Sequence, residues 1–325
     1  MPNKTEKSIK KNKRRNSRFK RGMKKIFITI TTVLSIIVLF NVTKTLEDLF
    51  GSKDIENAKV EYYVNIADKV SDGKAQVSWK DLLAIESVKN DGDLSEVRKN
   101  DSLKIGERFL IKDKDEEGKT IYKVKKLDNV LNELNFTEVQ KEEVHQNISD
   151  LEYVFLGKKL DKNDYRVLFI KQMEDAAVEN YYEYGILPSI TISQAILESG
   201  WGNSVLTEKS NNLFGIKADK RWNGDKFGIE TTENYNDKIV ANFRSYSSLK
   251  DSVRDYGKFL TENSRYTKHG LFESKLYTDQ AQSLEDAGYS TKINERGEKI
   301  YADMLIEVIK NYNLQIIDNK VMEEE

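Results

Sequence analysis

Glu198 is the residue of this chain best placed to do chemistry. It lies in the segment ITISQAILESGWGNS (190–204), followed closely by NNLFGIK (211–217). The apolar stretch predicts a helix that ends at Gly200, with Trp201 and a loop rich in Gly and Asn beyond it. A carboxylic acid at a helix end beside an indole suits general-acid work. Partial burial raises a carboxyl pKa and keeps the group protonated near neutral pH. Cleavage of a glycosidic bond would use such a group. Gln194 sits one turn back on the same helix face, within reach of the acid or of a sugar.

Composition narrows the alternatives. The chain has 325 residues, 38% hydrophobic and 33% charged, and no cysteine. Disulfides, thiol catalysis and cysteine metal sites are therefore excluded. His145 and His269 are the only histidines. Two histidines so far apart in sequence argue against a zinc hydrolase, which gathers several ligands in one place. The chemistry left is mostly that of carboxylates, and no metal or organic cofactor is implied.

The formal net charge of −1 hides an asymmetry. Residues 1–25 hold twelve Lys and Arg against one acid, Glu6, and the rest of the chain carries 41 basic and 53 acidic residues. A basic tail on an acidic body fits nucleic-acid binding or the cytoplasmic flank of a membrane segment. The next residues favour the second reading. IFITITTVLSIIVLFNVT (26–43) has no charge. Eighteen helical residues span roughly 27 Å, close to the ~30 Å hydrocarbon core. No A-x-A-like cleavage site is found after it, so the expectation is an uncleaved signal anchor. The positive-inside rule then keeps the tail in the cytoplasm and exports the chain from about residue 45 onward. Nucleic acid is not expected as a partner.

The elements that must position Glu198 come next. Residues 45–163 read as a mainly helical region. Leu82, Leu83, Ile85 and Val88 cluster after Trp79, and Leu127, Val130, Leu131 and Leu134 recur at helical spacing. Thr137 with Gln140 reads as a capping box. Residues 109–124 read as a hairpin around Gly118. Further on, Leu168, Phe169, Met173 and Ala176 mark a helix running to Gly185, and Pro188 opens the helix of Glu198. From 226 to 246 the period changes to two, with a turn at Asn236-Asp237, which predicts a small antiparallel hairpin. Ser248 and Asp251 cap another helix, and a final one carries Tyr301, Met304, Leu305, Val308, Ile309 and Tyr312. The expected class is α+β, with a cleft between two lobes.

Several motifs in order carry a family resemblance: SQAILESGWGNS, NNLFGIK, TTENY, FRSYSSLKDSVRDYGKFL, AGYSTK and KIYADML. Residues 165–315 resemble the exported β-N-acetylglucosaminidases of glycoside hydrolase family 73, peptidoglycan hydrolases with a lysozyme-like fold. The resemblance implies cleavage of the N-acetylglucosaminyl-β-1,4-N-acetylmuramic acid bond. Glu198 matches the family's general acid. Glu233 best matches its second carboxylate, although Asn234 intervenes before Tyr235 where the family has Tyr directly. Tyr289 matches a tyrosine the family needs near the acid.

Glu230 and Glu233, three positions apart in a strand, face opposite sides, and alternation alone does not choose between them. A third route uses the substrate's own N-acetyl oxygen as nucleophile. Trp201, Phe214, Trp222 and Tyr235 offer rings for the apolar faces of sugars. Asn212 offers an amide to the sugar or holds its loop.

The expected layout is a cytoplasmic tail (1–25), a transmembrane anchor (26–43), a helical extracellular region (45–163), a catalytic domain (164–318) and an acidic C-terminal tail (319–325). The expected location is the cell membrane, single-pass, in a Gram-positive bacterium. The expected partners are peptidoglycan strands and a protein of the membrane or wall-synthesis machinery. A muramidase, a lytic transglycosylase and a catalytically silent scaffold are the alternatives.

Overall fold

The computed structural model describes residues 53–155, 158–233 and 237–325. The basic tail and the apolar segment 26–43 lie outside them, as does Tyr235. No helix among the described residues is long and apolar enough to cross a membrane.

Among the described residues, five helices and a hairpin precede residue 151. They are α1 (Lys53–Ser71), α2 (Trp79–Lys89), α3 (Lys99–Glu107), α4 (Leu127–Glu133) and α5 (Glu138–Asp150). Strands β1 (Leu110–Lys114) and β2 (Thr120–Val124) pair antiparallel around the Gly118 turn. The expected capping box opens α5: Thr137 Oγ1 accepts from the Gln140 amide while Gln140 Oε1 accepts from Thr137 N–H. A short ladder joins β3 (Val154–Phe155) to β4 (Lys158–Lys159).

The part that carries Glu198 is built around α7 (Pro188–Ser199). Residues 188–196 are buried on every face. An all-round apolar helix is stable only when other elements enclose it. Here α6 (Tyr165–Tyr184), α11 (Tyr277–Asp286), α12 (Tyr301–Asn311) and α13 (Gln315–Glu324) do so. Pro188 suits the first helical turn, where its missing N–H removes nothing. On the other side α6 packs on α9 (Leu249–Glu262). Gly257 permits that approach, since a Cβ there would strike the Tyr184 ring. Helices α8 (Val205–Ser210) and α10 (Ser264–Lys268) are short connectors.

Strands β5 (Lys226–Glu233) and β6 (Asp237–Arg244) form the expected hairpin, with Glu233 opposite Asp237 at its tip and Glu230 opposite Val240. The observed class is thus mainly helical α+β with small antiparallel sheets.

Two features differ from the sequence reading. Residues 319–325 were expected as an acidic tail, but α13 continues through Glu324 and buries Asn319, Val321 and Met322. Its apolar face packs on α7 and on β2. Second, residues 56–325 form one compact unit. Ala75 and Val124 of the preceding region belong to the same core as Ile190, Leu305 and Val321. Polar contacts tie the parts as well. Asn319 Nδ2 donates to the Gln76 carbonyl (2.9 Å), and Tyr277 OH donates to Asp68 Oδ2 (2.8 Å).

Candidate active site

The end of α7 places Glu198 at a groove of about 650 Å³. Helix α7 stops because Gly200 takes a left-handed conformation (φ 59°), and Trp201 follows with φ 64°. A bulky residue rarely adopts that conformation, so the surrounding packing must hold it. Gly202 also has positive φ, and its N–H donates to Ser199 Oγ at 2.7 Å. Consecutive left-handed residues turn the chain sharply away, leaving Glu198 exposed at the helix end.

This corrects the expected indole–acid pair. The Trp201 ring packs edge-on against Tyr165, Phe169 and Tyr312, with centroids 6.0, 5.9 and 4.7 Å away. It does not line the groove. Glu198 is exposed rather than partly buried.

The partner of Glu198 is Tyr301, which the sequence reading placed in the KIYADML motif and on an apolar helix face without giving it a role. Tyr301 OH donates to Glu198 Oε1 at 2.7 Å. Gln194 Nε2 donates to Tyr301 OH at 2.8 Å, and Tyr256 OH donates to Gln194 Oε1. Tyr256, Gln194 and Tyr301 are fully buried. The three donors all point toward the carboxylate, and such chains strengthen cooperatively. Gln194 therefore positions the acid from beneath and does not reach a sugar. The rotamer of Glu198 is fixed through one oxygen, and Oε2 has no partner among the described residues.

Two further rings complete this wall. Tyr289 stacks on Tyr301 with centroids 5.5 Å apart, and Phe214 stacks on Tyr256 at 4.0 Å. Both line the groove with Glu198. Burial, followed by the negative charge of Glu198, pushes the Tyr289 phenol well above its ordinary pKa. Burial, then neighbouring Tyr289 and Glu198, does the same to Tyr301. Both remain hydrogen-bond donors throughout the neutral range.

Asn212 holds its loop. It is buried, with Nδ2 donating to the Ile216 and Arg244 carbonyls at 3.0 and 2.8 Å and Oδ1 accepting from Ile216 N–H at 3.1 Å. No atom of that amide is left for a sugar. Trp222 donates from Nε1 to the Asp225 carbonyl (2.8 Å), and the Arg244 guanidinium lies 4.7 Å from its ring centroid. It stands behind Arg244 rather than on the groove wall. The β5 backbone carries Glu230 and Glu233, whose side chains lie outside the described part of the structure. The groove also contains Lys217, Asp219, Arg221, Arg244, Arg265 and Tyr266, none of which the sequence singled out. Among the described residues, no group of three or more His, Cys, Asp or Glu is arranged to hold a metal ion.

Comparison with known proteins places a domain around this site. Residues 174–314 match the glucosaminidase family model, described as mannosyl-glycoprotein endo-beta-N-acetylglucosaminidase. The chain carries a glucosaminidase-family domain. Over 169 residues it is 34% identical to exo-glucosaminidase LytG of Bacillus subtilis, covering 50% of this chain and 57% of that protein. Over 150 residues it is 37% identical to peptidoglycan hydrolase FlgJ of Vibrio parahaemolyticus, covering 43% and 45% of the two chains. The chain thus spans about half the length of these curated relatives. The crystal structure of the catalytic domain of the Listeria monocytogenes autolysin Auto is 31% identical, with a TM-score of 0.42. The match covers 53% of this chain and 96% of that one. The glucosaminidase domain includes Glu198, Tyr289 and Tyr301, so the hydrogen-bonded carboxylate lies inside the family's segment.

Proposed function

We propose that this protein is a membrane-anchored, endo-acting peptidoglycan hydrolase with a lysozyme-like catalytic domain. It cleaves the N-acetylglucosaminyl-β-1,4-N-acetylmuramic acid bond. The observation that carries the reading is Glu198, presented to an open groove on a helix end and oriented by Tyr301. In this scheme Glu198 protonates the leaving glycosidic oxygen through Oε2. Glu233, at the hairpin tip, activates water or stabilises positive charge on the sugar ring, and the substrate's N-acetyl group is the alternative nucleophile. Tyr289 and Phe214 flank the cleaved sugar with ring faces. The family match supports the glycosidase chemistry, and the name of the FlgJ relative points to peptidoglycan.

The anchor is residues 26–43, with residues 1–25 in the cytoplasm and the catalytic domain outside. This part rests on the uncharged run and the basic tail alone. Residues 45–163 brace the catalytic domain and leave surface for a membrane or wall-synthesis partner.

Mass spectrometry of muropeptides released from purified wall tests the bond. Reducing N-acetylglucosamine ends on long fragments support the proposal. Reducing N-acetylmuramic acid ends would make the protein a muramidase, and anhydro-muramic ends a lytic transglycosylase. Release of single sugars would replace endo by exo cleavage. No clearing of a wall-embedded gel by the full-length protein would favour a silent scaffold.

A further inference from the structure

The groove around Glu198 is rich in cations. Its walls carry Lys217, Arg221, Arg244 and Arg265 against Glu198 and Asp219. Two of the four are neutralised locally. Arg221 pairs with Asp219 at 2.8 Å and Arg244 with Asp255 at 2.7 Å. Arg265 forms no ion pair among the described residues, yet it is held in place. Its Nη1 donates to the Gly288 carbonyl (3.2 Å) and its Nη2 to Tyr266 OH (2.5 Å). The guanidinium carbon lies 4.6 Å from the Tyr266 ring centroid. Tyr266 is fully buried, so the anchor is rigid. Gly288 immediately precedes Tyr289, which fixes the guanidinium beside the ring that flanks Glu198. A guanidinium has five N–H donors in a planar fork, and two serve as the brace. Arg265 is exposed, and its remaining donors are open to an oxygen ligand in the groove.

A preorganised, uncompensated guanidinium suits a carboxylate, which it can bind through two parallel hydrogen bonds. Neutral N-acetylglucosamine polymers carry no such group. Muramic acid does: its lactyl ether ends in a carboxylate when free, and when that acid is amidated by a peptide, the peptide brings its own carboxylates. We propose that Arg265 binds a carboxylate carried by the muramyl unit and so sets the preference of the groove for muramic-acid-containing strands. This rests on the peptidoglycan reading above. Lys217 adds to the positive field that draws such strands in.

The test compares full-length wild type with Arg265→Gln and Arg265→Lys. The substrates are peptide-bearing glycan strands, strands stripped by an amidase, and both after carbodiimide amidation of their carboxylates. Arg265→Gln should lower kcat/KM at least ~10-fold on strands whose bound carboxylate is intact, that is, not amidated, mainly through KM, as expected for one charge-assisted contact. Wild type and variant should converge on the amidated strands. A loss confined to stripped strands assigns the lactyl carboxylate, and one confined to peptide-bearing strands assigns a peptide carboxylate. Should Arg265→Gln fail to fold, Arg265→Lys makes the same comparison, with a smaller loss on intact strands and the same convergence. Equal losses on intact and amidated strands would overturn the proposal and leave Arg265 as a brace for the Tyr289 loop. Failure of the wild type to cleave any strand would instead remove the proposed function, and this inference with it.

Discussion

Glu198 takes its orientation from a hydroxyl, and this separates two kinds of variant. Glu198→Gln removes the acid and should lower hydrolysis of wall glycan by at least ~100-fold. The side chain is exposed, so the melting temperature should barely change. Tyr301→Phe keeps the ring stacked on Tyr289 but removes the donor to Glu198. The expected loss is about tenfold in kcat, the scale of one hydrogen bond to a charged group. An unchanged kcat would show that the groove positions the acid without Tyr301. Glu233→Gln should lose less than Glu198→Gln, because water can still attack and the N-acetyl group can assist. A dead Glu230→Gln would move the second carboxylate to the other side of the strand. The sequence singled out Glu198 and Tyr289 through their motifs, and both line the groove. It did not identify Tyr301, whose spacing on α12 matches any buried helical position and carries no sign of where its hydroxyl ends. Nor does sequence signal that Trp201 takes positive φ, which is what turns its ring toward Phe169.

At the scale of elements, α13 completes the N-terminus of α7. Ser189 N–H and Oγ donate to Asp318 Oδ1 and Oδ2 at 2.8 and 2.5 Å. A carboxylate at a helix N-terminus meets unpaired amides and the positive end of the dipole. Asp318 is nevertheless fully buried, and burial pushes its pKa from 3.8 up to about 7, with the Ser189 bonds opposing. The folded protein then holds a proton that the unfolded chain releases near pH 4. The associated stability is fully present below about pH 4 and is lost as pH rises through about 7. Burial raises Glu323 to about 7 and Asp81 to about 6, which acts in the same direction. The melting temperature should therefore be higher at pH 5 than at pH 8. Asp318→Asn, which retains an acceptor for Ser189 N–H, should narrow that difference without closing it. An unaltered difference would exclude Asp318 as a contributor. Most elements were legible because their local signals are strong: the α6 stripe, the apolar α7 segment, the Thr137 capping box and the 226–246 hairpin all recur in the structure. Helix α13 was not, because Ile317, Val321 and Met322 sit among Asp318, Asn319, Lys320 and three glutamates. Only the partners waiting on α7 and β2 make those few apolar residues a helix face.

At the largest scale, residues 56–163 and the glucosaminidase domain form one compact unit, and Ala75 and Val124 of the first enter the core of the second. Residues 56–325 should then melt in a single transition, with equal calorimetric and van't Hoff enthalpies. A fragment limited to 164–318 loses the cover supplied by Val321 and Met322, worth ~3–6 kcal/mol at ~1.5–3 kcal/mol per buried side chain. Its melting temperature should fall by ~10 °C or more. Two separate transitions in the longer protein would restore the boundary expected from sequence. The link from Asp318 to Ser189 also has a consequence in time. The two residues are 129 positions apart in the chain. At the ~5–20 residues per second of protein synthesis, α7 exists for roughly 6 to 26 s before its cap has been made. For most of that interval the helix that must carry Glu198 has neither its N-terminal carboxylate nor the Tyr301 hydroxyl at its other end, since Tyr301 is added shortly before Asp318. A nascent chain of this protein is thus without an assembled acid until residues beyond 300 have been added, and synthesis itself delays the first moment at which the proposed cleavage could begin.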